Sequence, residues 1–301
     1  MDSNQFNTYD PKELSVPQLH GLLLGAVAPR PIAFASTMDK DGRPNLAPFS
    51  FFNVFSANPP IMIFSPARRV RNNTNKHTLD NCKNTGEVVI NIVSHDIVEH
   101  MSLASTEYDA GVNEFIKSGL TMLDSDNVKP YRVAESPAHF ECKVNDIIEL
   151  GNEGGAGNLI ICEVLKLHVR SDVFNEAGKI DPFKIDVVSR MGGDFYCRAN
   201  ADAIFEVEKP NAKKGIGIDQ MPESIRNSDV FSGNQLAKLA NIEQLPEKTS
   251  LLSLDISPNE LQVLNVLDEG DLENGLHQLA SVYLDQNKLE LAWKILLSNK
   301  T

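Results

Sequence analysis

No part of this chain offers the run of about 20 apolar residues that a membrane-spanning helix needs. Positive charge is also scarce. The chain has 28 Lys and Arg against 41 Asp and Glu, a formal net charge of −13. Such a balance repels nucleic acid and anionic lipid and argues against both as principal partners. The opening residues, MDSNQFNTYDPKELS, are polar and acidic without an apolar stretch, so no secretory signal is expected. Cysteine pairs of the CxxC type are missing: Cys82, Cys142, Cys162 and Cys197 are widely spaced. Reduced, buried thiols in a cytoplasmic protein are the simplest expectation.

Several chemical signatures are absent as well. There is no GxSxG nucleophile elbow and no GxxxxGK[ST] phosphate loop. The GIGI at Gly215 is not a GxGxxG turn between strand and helix. His95 and His100 share no HExxH pattern and read as surface or helix-end histidines rather than metal ligands. Any redox or transfer chemistry is therefore expected from a bound organic cofactor.

What is present begins with composition: 42% hydrophobic and 23% charged residues over 301 positions, enough for a sizeable core in one or two domains. Residues 31–205 read as β-rich. IAFASTM (Ile32 to Met38) is a strand running into DKDGRP, where Asp41-Gly42 signals a hairpin. A calcium loop is the rival reading of DxDG, but its remaining ligands are missing. IMIFS and EVVINIVS are short apolar runs typical of strands buried on both faces. AHFECKVNDIIEL and LIICEVLKLHVRS, separated by NEGGAGN, form another strand pair. Two short helices are expected over residues 71–86, with Thr74 or Thr78 as N-cap and Gly86 as stop, and over 94–106. Many short strands with few helices predict a closed or nearly closed barrel. Residues 211–250 are turn-rich, with Pro222 and Pro246. Helices follow over 251–301. Leu276, Leu279, Ala280 and Tyr283 share one face, and Leu289, Ala292, Trp293 and Leu296 another. This pair resembles a single tetratricopeptide-type hairpin, too few repeats for a solenoid.

NLAPFSFFNVFSANPP does not alternate cleanly. It mixes Phe49, Phe51, Phe52 and Phe55 with Ser50, Asn53 and Ser56. A flat ring with hydrogen-bonding edges needs this kind of wall, apolar with a few donors and acceptors. Downstream, SPARRVRNNTNKHT gathers Arg68, Arg69, Arg71, Lys76, His77 and Thr78, a local cationic patch suited to a phosphate. The rings taken alone also read as core, and the arginines as a solvated loop. In YDAGVNEF, pocket lining by Asp109 and Glu114 stands beside helix capping and surface placement.

PRPIAFASTMDKDGRPNLAPFSFFNVFSANPPIMIFS resembles the FMN-binding split-barrel flavin reductase family, and so do KHTLDN, GVNEF, SGLTML, KPYRVAESPAHFECKV and SRMGGDFY. The likeness covers about Gly25 to Pro210, and GIGIDQMPESIRNS and GNQLAKLANIEQLP resemble the tail of one branch. The resemblance implies a mainly β, Greek-key type, FMN-binding split β-barrel with short helices and a C-terminal α-helical extension. Its implied divisions are 1–210 barrel, 211–250 family-specific connection and 251–301 helical hairpin.

It further implies FMN bound at a homodimer interface. Ser36 and Thr37 would lie near the ribityl-phosphate or ring edge. Asn45, Ala47, Pro48, Ser50, Phe51, Phe52 and Asn53 would form the flavin-binding strand and turn, with Ser65, Arg68, Lys76, His77 and Thr78 at the phosphate. His77 stands where the family often has an acidic residue. Met191, Gly192, Gly193 and Tyr196 would lie near the ring's open face, the glycines leaving room for a nicotinamide.

The expected activity is that of an oxidoreductase passing electrons from NAD(P)H through FMN to free flavin, a partner monooxygenase or another acceptor. The alternatives are a flavin-binding electron carrier without its own nicotinamide site, and a dimeric scaffold whose helical tail docks a partner.

Overall fold

The computed structural model describes residues 6–210 and 214–299. The chain divides into two compact units, Met1–Phe205 and Glu206–Thr301. Among the described residues, no helix is long and apolar enough to cross a membrane.

The first unit is built on seven strands: β1 (Ala33–Met38), β2 (Pro44–Phe49), β3 (Phe52–Ala57), β4 (Pro60–Phe64), β5 (Glu87–Ile92), β6 (Ala138–Glu149) and β7 (Asn158–Val169). They form one sheet in the order β2-β1-β5-β6-β7-β4-β3, and all neighbours are antiparallel. β2 and β3 are the two opposite edges of this order, yet only Ser50 and Phe51 separate them in sequence. Two residues span roughly 7 Å, so the edges must come together and the sheet must curl into a barrel. β2 and β3 are not paired to each other, which leaves the barrel split along one seam.

Local signals explain the strands. The β1–β2 hairpin closes on an Asx turn: Asp39 Oδ1 accepts from the N–H groups of Asp41 and Arg43, both at 2.9 Å. Gly42 takes the left-handed φ of +82° that the expected Asp-Gly turn requires. Alternation along β1 sends Ala33 and Ala35 inward with Met62, Phe64, Ile90 and Ile160. Ile32 and Phe34 point outward with Leu46, beneath Met101 of α3 (Val98–Ala104) and Phe115 of α4 (Glu114–Ser118). With both faces covered, these strands read as continuous apolar runs. Of the four rings singled out above, Phe49 and Phe52 pack on the interior cluster, whereas Phe51 and Phe55 are 40% and 63% exposed.

α2 (His77–Thr85) places Leu79 and Cys82 in the barrel interior. It stops at Gly86, left-handed at φ +70° as expected. Its N-cap differs from the expectation: Lys76 holds that position without a side-chain cap bond. Thr78 lies inside the helix, and its hydroxyl is spent elsewhere. Cys82, Cys142 and Cys162 share the barrel interior, and Cys197 is half-buried. Burial pushes the thiols of Cys82 and Cys142 up to about 12.

The second unit is helical: α5 (Glu223–Arg226), α6 (Gly233–Ala240), α7 (Pro258–Val266), α8 (Glu269–Asp285) and α9 (Leu289–Leu296). Leu276, Ala280, Tyr283, Ala292 and Trp293 are buried as their spacing predicts, and Leu279, Leu289 and Leu296 pack against them. The stretch read from sequence as a connection belongs to the same core, through Met221, Ile225, Phe231 and Leu239. Turn residues masked this because apolar positions here are spread over short elements with no sustained period. Trp293 is fully buried, and its indole N–H donates to the Leu239 carbonyl at 3.0 Å. Trp293→Ala should destabilise this unit by about 3–5 kcal/mol, read as a lower denaturation midpoint. A change under about 1 kcal/mol would contradict the packing described.

Candidate functional site

The seam generates unpaired backbone groups. The Asp39 N–H bond to the Arg43 carbonyl (3.0 Å) makes the odd-numbered residues of β1 the bonded partners of β2. Pro44, Leu46 and Pro48 therefore turn their backbone groups to the open edge. The prolines carry no N–H, and the Leu46 N–H donates to Glu114 Oε2 at 3.0 Å. β2 thus has no spare donor along its edge. At the seam this changes. Ser50 and Phe51 make no hydrogen bond through their N–H groups to any described residue, while the Phe51 carbonyl accepts from Ser65 N at 2.8 Å. Two free donors lie beside the Phe51 ring, which meets His20 of α1 (Val16–Ala26) edge-on at 6.3 Å. Phe52 and Asn53 continue the seam into β3.

At the other end of β2, roughly 16 Å away at 3.3 Å per residue, sits a buried polar network. Asn45 Nδ2 donates to Thr37 Oγ1 (3.2 Å) and Thr78 Oγ1 (3.0 Å), and Asn81 Nδ2 donates to Thr37 Oγ1 (3.0 Å). Three predicted residues, distant in sequence, meet here. Because Thr37 accepts both bonds, its own hydroxyl proton is left to donate. Ser36 does not join them. It lies on the opposite face of β1, fully buried, and its Oγ has no partner. Side chains of adjacent strand residues point to opposite faces, so of this pair only the Thr37 hydroxyl faces the Asn45–Thr78 network. Ala47 and Pro48 are half-buried along β2.

The cationic loop divides its work. Arg68 is committed inward, donating to Asn73 Oδ1 (2.7 Å), Asn75 Oδ1 (2.6 Å) and the Asn73 carbonyl (2.6 Å). These three bonds shape the loop and leave two of its five N–H donors for an anion. Arg69, Arg71 and Lys76 instead converge on the Glu107 carboxylate, each at 3.1 Å. The Lys76 hydrogen bond comes first among the causes that hold Glu107 below the usual carboxylate range. His77 is half-buried at the first position of α2. Ser65, buried, accepts from Asn158 N at 3.0 Å and ties β4 to β7 beside the seam.

Arg30 is the residue that sequence reasoning passed over. It is buried. Its guanidinium donates to the carbonyls of Leu24 (2.6 Å), Val27 and Met191 (2.9 Å), and reaches Ser50 Oγ at 3.4 Å. Burial, and then the nearby Arg190 charge, hold its pKa below the ordinary value. One side chain thus joins α1, the seam and the Met191 turn. The available signal was an arginine framed by two prolines in PRP, a poor setting for a solvated side chain. In that turn Tyr196 lies under the Arg190 guanidinium at 4.6 Å, and Gly193 is left-handed at φ +59°. The room at Gly192 is already used: a Cβ there would lie 3.2 Å from Gly25 Cα in α1. At Gly193 a Cβ would meet only the Phe195 ring, at 4.0 Å.

Glu114 is buried rather than exposed, and Asn113 caps α4 through Phe115 N at 3.0 Å. Two other acidic clusters serve structure. Glu141 accepts from the N–H groups of Asp126 (2.9 Å) and Asn127 (2.6 Å), and Asp186, beside His95 and Asp96, is held by Arg198 at 2.7 Å.

The curled sheet with its unpaired seam puts the first unit in the split-barrel class. Residues 25–182, just over half of the chain, match the Flavin reductase like domain. The protein belongs to the flavin reductase-like family. An uncharacterised protein of Aquifex aeolicus is 37% identical over 196 residues, 65% of this chain and 97% of its own length. Among solved structures, nitrilotriacetate monooxygenase component B from Bacillus cereus superposes with a TM-score of 0.64 at 28% identity, over 68% of this chain and all of that one. A split barrel domain protein of Shewanella frigidimarina gives 0.56 at 26% identity, over 66% and 95%.

Two outcomes follow. Arg30→Lys loses the fork that spans three segments and should cost roughly 2–4 kcal/mol, measured by urea unfolding; an unchanged midpoint would contradict the clamp. For Glu114, burial raises the carboxyl above its ordinary 4.5, against the bond from Leu46 N. A raised native pKa means stability is greatest below 4.5 and declines as pH climbs through the native value. Glu114→Gln keeps an acceptor and removes the charge, so it should gain on the wild type between pH 4 and 7. Parallel denaturation curves at both pH values check the sign.

Proposed function

We propose that this protein binds FMN along β2 and the seam and acts as an oxidoreductase, taking electrons from NAD(P)H and passing them to free flavin, a partner monooxygenase or another acceptor. The observation that carries the reading is the pair of unpartnered N–H groups at Ser50 and Phe51, set beside an aromatic wall. Backbone N–H groups without a protein partner are available to an acceptor, and a flavin ring edge offers several. Bound flavin would supply the redox chemistry.

The chain's own residues position and select. Ser50 and Phe51 donate to the ring edge, and Phe51 and Phe52 exclude water from its face. Thr37 and Thr78 offer hydroxyls along the ribityl chain. Lys76 and the N-terminus of α2, which has no side-chain cap, receive the phosphate. No side chain is required as acid or base. The family membership supports this reading, and the component B relative supports a partner oxygenase as one acceptor. The exposed Phe51, Val54 and Phe55 suit a second copy of the chain covering the seam in a cytoplasmic homodimer.

A second reading is an electron carrier reduced by a protein partner, in which Gly192 serves the close packing of its turn on α1. Absorbance spectra before and after anaerobic NADH or NADPH separate the two. The purified protein should be yellow, or turn yellow with FMN, and bleach on addition of the nicotinamide. Yellow protein that stays oxidised supports the carrier; protein that never takes up FMN overturns both. Lys76→Ala should weaken FMN binding roughly tenfold, the size of one charge-assisted hydrogen bond, followed by quenching of flavin fluorescence.

A further inference from the structure

The cationic loop holds its own anion. Arg69 Nε and Lys76 Nζ both lie 3.1 Å from Glu107 Oε1, and Arg71 Nη2 lies 3.1 Å from Oε2. Three cations around one carboxylate leave a local excess of two positive charges in a chain whose overall charge is −13. The Glu107 side chain is 41% exposed and bonded to no backbone donor, so it is held by these ion pairs and can swing into water. Its cationic partners differ in freedom. Arg69 is largely buried, with Nη1 donating to Thr74 Oγ1 at 3.1 Å and to the Asn75 carbonyl. Arg71 is 79% exposed. Lys76 is the N-cap of α2, whose first N–H groups have no side-chain cap. Thr78, the second residue of α2, belongs to the Asn45–Thr37 network.

We propose that Glu107 is an internal counter-anion and charge filter for this loop: it keeps Arg69, Arg71 and Lys76 gathered and yields to a phosphate monoester dianion in preference to singly charged anions. The inference rests on the flavin reading above and extends it to selectivity. The electrostatics set the direction. An incoming anion with one negative charge gains nothing by replacing a carboxylate of equal charge. A phosphate monoester, which carries about −1.5 to −2 at pH 7, matches the local excess and gains by the exchange. Glu107 thus taxes every anion and leaves the dianion a net advantage. An uncharged flavin lacking the phosphate neither meets nor displaces it.

The test compares FMN with riboflavin on the full-length wild type and on Glu107→Gln, by flavin fluorescence quenching at low salt, with circular dichroism as a folding control. Removing the carboxylate should tighten FMN by roughly tenfold, the size of the repulsion between a unit charge and a dianion about 6 Å apart in water. Riboflavin affinity should not move. The FMN gain should shrink at high salt, because these groups are open to screening. Arg71→Gln, at an exposed position, should weaken FMN in the wild-type background and leave riboflavin unchanged. Equal FMN affinity in wild type and Glu107→Gln, or weaker FMN binding in the variant, overturns the filter while leaving flavin binding intact. A parallel gain for riboflavin also overturns it, since the effect would not be on the phosphate. If the wild type binds neither flavin, the flavin reading itself fails and the filter with it.

Discussion

The barrel depends on the two-residue link between β2 and β3. Ser50 and Phe51 connect strands that stand at opposite ends of the sheet order, so the chain cannot be laid out flat. Curling brings β3 near β2 without pairing them, encloses the cluster of Ala33, Phe64, Ile90 and Ile160, and concentrates free backbone donors at one place. Elsewhere along β2 the edge is silenced by Pro44, Pro48 and the Glu114 carboxylate. An open edge is normally an aggregation hazard; here its donor side is removed except where a ligand can use it.

Around that seam, charge is organised against the general acidity of the chain. Arg30 has no carboxylate partner among its bonds and is satisfied by three carbonyls and one hydroxyl. It acts as a fixed positive centre behind the seam and a mechanical tie between segments up to 161 residues apart. The loop cations, by contrast, are paired to a partly exposed carboxylate, Glu107. The seam and the cationic loop thus differ in kind: one is tied by a buried guanidinium, the other by ion pairs open to solvent.

Much of this was legible from local chemistry. The Asp41-Gly42 hairpin, the stop at Gly86, the double-faced strands and the buried faces of α8 and α9 all follow from residues within a few positions of one another. Resemblance assigned Thr37, Asn45 and Thr78 to three different parts of a flavin site, and the structure joins their side chains through Asn45. What was not legible is long-range. Thr78 looks like a cap until β2 supplies Asn45. Ser36 and Thr37 look equivalent until the register sends them to opposite faces. Arg68 looks like a free surface cation until Asn73 and Asn75 are seen to hold its fork. Gly192 gives no sign of packing until Gly25 is found against it. In each case the deciding partner lies on another element, and no spacing rule contains it.

The interior placement of Cys82, Cys142 and Cys162 gives the molecule a built-in gauge of its own integrity. With two of these thiols pushed up to about 12 and all three out of solvent, they stay protonated at neutral pH and beyond the reach of alkylating reagents. Cys197, half-buried in the strand that follows the Met191 turn, is the one of the four open to modification. A thiol count on native protein therefore reads one, and on denatured protein four. A label attached at Cys197 would sit beside the turn that Arg30 holds against the seam, while any fraction of opened barrels would announce itself as extra reactive sulfur.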